Sequence, residues 1–122
     1  MDDNEKIEAP HFNRVEPRRR VQMTIEIHEN QTQQVVGRLF DVSKDGFMLV
    51  GKIEIYDNQE YDFLLNLTDF PKFNVTIPIT AECRWSQTFD KTGYFGSGFL
   101  ITQMDPVYLP HWKQLIEEFS ED

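Results

Sequence analysis

The chain has 122 residues, a formal net charge of −9 and a pI near 4.7. Its length predicts one domain, and 39% hydrophobic residues, with 10 Phe, 4 Tyr and 2 Trp, are enough for one modest core. The acidic balance argues against a general nucleic-acid binder, which relies on many Lys and Arg contacts to phosphate, and against attachment to anionic membrane surfaces.

No stretch reaches the roughly 18–20 apolar residues of a membrane span. The opening "MDDNEKIEAP" is acidic and lacks the apolar run of a secretory signal. Cys83 is the single cysteine, so the chain can form neither an internal disulfide nor a cysteine-based zinc site. A cytoplasmic protein without membrane insertion is expected.

Residues 1–13 are charged and aperiodic, and are expected to form a flexible acidic arm. From Val21 the pattern alternates. Val21, Met23, Ile25 and Ile27 share one face of a half-buried first strand. "QVVGRLFDV" predicts a second strand, "SKDG" a tight turn with Gly46 available for positive φ, and "FMLVG" a short third strand. "YDFLLNL" predicts a fourth. "FNVTIPITAECRWSQ" is the longest alternating run, with Ile77, Ile79, Ala81, Cys83 and Trp85 on one face. Pro78 lacks a backbone donor, which predicts a bend or an edge there. "YFGSGFLIT" predicts a sixth strand, whose Gly96 and Gly98 suit a close crossing in a small barrel. After Asp105-Pro106, the spacing of Trp112, Leu115, Ile116 and Phe119 predicts an amphipathic helix with Pro110 in its first turn. Six short strands followed by one helix predict a mainly β fold: a six-stranded antiparallel barrel with a C-terminal α-helix.

Two sequence features bear on function. Arg14, Arg18, Arg19 and Arg20 place four of the chain's twelve Lys and Arg residues within seven positions, just before the first strand. Asp41, Ser43 and Gly46 form a D-x-S-x-x-G in the turn after the second strand. An antiparallel return brings the two together at one end of the barrel. Arg presents a planar fork matched to phosphate oxygens and to the O6/N7 edge of guanine. A carboxylate accepts from the N–H donors of guanine's Watson–Crick edge, and a hydroxyl does either job. A compact dianion bearing guanines satisfies all of these groups together. Each half has a plain reading too. The arginines alone read as a solvated charge run, and "DVSKDG" alone reads as turn chemistry.

The pair of motifs resembles the PilZ domain family of bacterial cyclic di-GMP receptors, whose signature is RxxxR followed by (D/N)xSxxG on a six-stranded barrel. "ECRWSQ" followed by "YFGSGFLI" extends the likeness. The resemblance implies an arm over 1–13 and a PilZ domain over 14–120. It implies that Arg14 and Arg18 clamp the phosphates and stack on or hydrogen-bond the guanines, that Arg19 or Arg20 adds a contact, that Asp41 and Ser43 hold a guanine edge, and that Gly46 shapes the turn. One departure stands out. Many members carry the second motif arginine directly before the first apolar residue of the strand. Here that position is Arg20, with Glu16 four residues earlier, whereas Pro17-Arg18 favours the Arg14/Arg18 register. Asn13, in place of a basic residue, points to one ligand per chain. Trp85 reads first as core, and as a site residue only through an edge contact.

No catalysis, metal or cofactor is expected. His11, His28 and His111 show no metal-ligand spacing with another His or Cys, and no Gly-rich phosphate loop occurs. The leading expectation is a receptor that relays cyclic di-GMP to an effector protein by ordering the arginine-rich segment, as a monomer or weak dimer and without DNA or RNA. The alternatives are a degenerate PilZ-fold adaptor for motility or pilus assembly that ignores nucleotide, and an oligonucleotide-binding barrel.

Overall fold

The six alternating runs become the walls of a closed barrel. The computed structural model describes residues 19–21, 23–89 and 92–118. The strands are β1 (Arg19–Arg20), β2 (Glu26–Glu29), β3 (Val35–Val42), β4 (Gly46–Gly51), β5 (Glu60–Asn66), β6 (Thr76–Phe89) and β7 (Tyr94–Gln103). A 3-10 turn (Pro106–Tyr108) leads into helix α1 (Leu109–Glu118). The predicted first strand is broken into β1 and β2, which pair with the same edge of β3. Val21 N–H donates to Phe40 O and Leu39 N–H to Ile25 O across the break, so the two pieces act as one wall. Every pairing is antiparallel, and contact of β3 with β4 closes the ring in the order β2-β3-β4-β7-β6-β5. The fold is thus the predicted six-stranded antiparallel barrel with one C-terminal helix.

Inward residues fill the barrel as alternation requires. Ile25, Ile27, Val42, Leu65, Ile77, Ala81 and Cys83 are at most 1% exposed. Phe47 stacks on Phe99 with ring centroids 5.1 Å apart, and Phe63 meets Phe99 edge-on at 5.2 Å. Pro78 faces Leu64 of β5, and the pairing of β6 with β7 starts only at Thr80. The missing donor therefore falls where β6 has a free edge.

Helix α1 closes one end of the barrel. Asp105 begins the turn by accepting from Val107 N–H at 3.0 Å, and Pro110 occupies the first turn of the helix, where its missing donor costs nothing. Trp112 and Leu115 are buried against the core, and Trp112 meets Phe47 edge-on. Lys72, in the β5–β6 loop, pairs with Glu118 at 3.0 Å and ties down the far end of the helix.

Of the register shifts in the barrel, two shape its outer face. Leu39 pairs with Leu49 but Asp41 with Met48, so Phe40 is an extra residue in β3. Cys83 pairs with Phe99 but Trp85 with Gly98, so Arg84 is an extra residue in β6. Such bulges re-aim the side chains that follow them. Contrary to the expectation from sequence, Trp85 does not share the inner face with Ile77, Ile79 and Cys83. It packs with Met48 and Val50 in a second cluster on the outside of the barrel, flanked by Phe40 and Phe89.

Candidate functional site

The two bulges build one outer rung. Regular alternation would turn Asp41 inward and Val42 outward. The extra residue at Phe40 reverses this, so Asp41 pairs beside outward-facing Met48 while Val42 joins the core. The register then runs Arg20–Asp41–Met48–Gly98–Trp85 across β1, β3, β4, β7 and β6. A side chain at position 98 would collide with the Trp85 indole, so glycine here gives the ring its place on the sheet. Phe89 lies over Gly96 in the same way.

At the β1 end of this rung, the backbone of two of the clustered arginines pairs with β3. Arg20 stands opposite Asp41 and Arg19 opposite Val42. Arg14 and Arg18 lie outside the described residues, as do the arm and Phe119. Asp41 is 6% exposed and Ser43 3%, both low for polar groups, so this end of the barrel holds its polar groups in a largely enclosed setting.

The turn after Asp41 is tightly held. Ser43 N–H donates to Gly46 O at 2.9 Å, and its hydroxyl reaches the same oxygen at 3.4 Å. Asp45 O accepts from Ile101 N–H at 2.8 Å, and Ser43 O accepts from Trp112 Nε1–H at 3.0 Å. Gly46 is not the positive-φ residue expected from sequence; among the described glycines that is Gly93, with φ 77°. Gly46 is needed because a Cβ there would meet the Phe99 carbonyl oxygen. The site glycine therefore lets two strands approach each other.

Sequence reasoning missed Met48, Gly98 and Phe89 as parts of this face. The signals were present. "FMLVG" is apolar at every position, the mark of a strand buried on both faces, and the Gly-x-Gly of β7 lies under two aromatic rings. Trp112, expected only as part of the helix's apolar stripe, also bonds the turn. Among the described residues, no group of three or more His, Cys, Asp or Glu is placed to hold a metal, and no helix is long and apolar enough to cross a membrane.

A six-stranded barrel whose arginine-rich leading strand lies beside a D-x-S-x-x-G turn matches the PilZ domain model over residues 12–120. The chain belongs to the PilZ domain family. Among solved structures it is similar to the PilZ domain of Escherichia coli YcgR with c-di-GMP, at 10% identity and TM-score 0.65, covering 88% of this chain and 92% of that one. It is also similar to the K. pneumonia MrkH–c-di-GMP complex, at 12% identity and TM-score 0.69, covering 88% of this chain and 52% of that one. The Bacillus subtilis inhibitor of motility MotI/DgrA matches at 12% identity and TM-score 0.64, covering 97% of this chain and 56% of that one. The chain thus spans about half the length of MotI and of MrkH. No curated protein matches it by sequence.

Proposed function

We propose that this domain is a receptor for cyclic di-GMP, without catalysis of its own, that relays the ligand to a partner protein. One observation supports the reading: Arg20 pairs with Asp41 across β1 and β3, so the last of the clustered arginines lies in register with the D-x-S-x-x-G motif. Membership of the PilZ family supports it, as do two structural relatives described as bound to c-di-GMP. In this reading Arg14 and Arg18 grip the phosphates and guanines through charge-assisted, bidentate bonds, and Arg19 or Arg20 adds a further contact. Asp41 accepts from a guanine edge. The Ser43 hydroxyl gives up its long 3.4 Å bond for a ligand atom at little cost. Trp85 supplies an apolar edge further along the rung. The ligand fixes the Arg14–Arg18 segment against the barrel, and a partner reads the changed surface.

Calorimetry with cyclic di-GMP, using GTP and cyclic GMP as controls, tests this. Saturable heat with the cyclic dinucleotide alone is expected, at one ligand per chain. Arg18→Ala should weaken binding by roughly 10- to 150-fold, the worth of a lost hydrogen bond to a charged group. Neither heat nor thermal stabilisation at high ligand concentration would leave the domain a protein-docking adaptor that ignores nucleotide.

A further inference from the structure

The hydrogen bond from Trp112 to Ser43 links two regions that are 69 residues apart in sequence. The indole is 3% exposed and enters the barrel end beside Phe47, the residue directly after Gly46. Its N–H donates to the main-chain carbonyl of the motif serine at 3.0 Å. That carbonyl lies two residues after Asp41, at the start of the turn that follows β3. The opposite side of the turn is held by Ile101 N–H on Asp45 O, from the strand that leads into α1. The turn is therefore clamped between β7 and α1, and the helix itself is tethered at its far end by Lys72 and Glu118.

Resting on the receptor reading above, we propose that Trp112 is a positioning residue for the ligand turn, so that docking of α1 and ligand binding are thermodynamically linked. With the helix seated, Ser43 and the turn that follows Asp41 are held in place before the ligand arrives, and their ordering is not charged against affinity. Linkage makes the effect reciprocal: bound ligand favours the seated helix by the same factor. The helix becomes a second element, besides the arginine-bearing segment, through which occupancy reaches a partner.

Trp112→Phe keeps a large ring in the barrel end and removes the donor. The expected result in calorimetry is about tenfold weaker binding of cyclic di-GMP with unchanged stoichiometry, within the usual range of coupling between sites. Lys72→Ala removes the far tether of the helix without touching Ser43, and should weaken binding in the same direction but by less than Trp112→Phe, as an exposed ion pair contributes little. Hydrogen exchange adds a local reading: the Ser43 and Ile101 amides, bonded to Gly46 O and Asp45 O, should lose protection in Trp112→Phe beyond the average of the barrel. A tryptophan that only packs would lower the unfolding temperature and leave the Kd unchanged, and that result overturns the proposal. If the wild-type chain binds no cyclic di-GMP, the receptor reading fails instead. Exchange then decides the role of Trp112: selective loss of protection at these two amides supports it, and unchanged protection there rejects it.

Discussion

Asp41 and Trp85 reach the outer face because each follows one extra residue in its strand. Neither side chain could be placed from its own chemistry. An acidic residue at the end of a strand is ordinary, and a tryptophan in an apolar run is ordinary core. What distinguishes them is the rung they share with Arg20, Met48 and Gly98. Cys83, two residues before Trp85, shows the opposite case. It faces inward, is fully buried, and donates its thiol to Trp85 O at 3.2 Å. Burial pushes its pKa up from 9.0 to about 11. The neutral thiol is favoured in the folded state, so the unfolded chain loses this proton first. Stability from this group is therefore complete below pH 9 and declines as pH rises from 9 toward about 11. A thiol reagent at pH 8 should label Cys83 only at the rate of unfolding. Rapid labelling of the native protein would show that the strand opens locally.

At the level of elements, the closest dependence is between β6 and β7. The Trp85 and Phe89 rings occupy the space above Gly98 and Gly96, so the outer aromatic cluster exists because β7 presents no side chain there. Gly98→Ala should displace the indole, cost about 1–3 kcal/mol as overpacking does, and shift tryptophan emission toward that of an exposed ring. Urea denaturation and fluorescence of the native variant would check both. An unchanged spectrum would mean that the indole has room to move without leaving the sheet. Helix α1 follows the same logic from the other side. Its stripe of Trp112 and Leu115 has value because the barrel leaves one end open to receive it. Pro110 and Asp105 set where the helix begins, but only the seat on the barrel decides that Trp112 meets Ser43.

For the whole molecule, the contrast is between an acidic chain of net charge −9 and four arginines clustered in its sequence, the last two of which pair with β3. Binding to the folded state alone adds RT ln(1 + [L]/Kd) to stability, about 2.7 kcal/mol at a hundredfold excess over Kd. The unfolding temperature should therefore rise with cyclic di-GMP concentration for the wild-type chain, and rise clearly less for Arg18→Ala at the same concentrations. An equal rise in both would place the ligand away from the arginine motif.

The sequence by itself determined the six-stranded barrel, the terminal helix, the face of most core residues and the return of β3 beside Arg19 and Arg20. These depend on local periodicity, turn residues and one antiparallel return, all of which act over a few positions. Only the tertiary structure decided that the first strand is broken, that Trp85 faces outward, that Gly46 serves a close approach to Phe99 O, and that Trp112 holds Ser43. A bulge is a mismatch in count between two paired strands, so it belongs to the pairing and cannot be read from either strand alone. The hydrogen bond from helix to turn likewise requires the closed barrel, which brings together groups that the chain holds 69 residues apart.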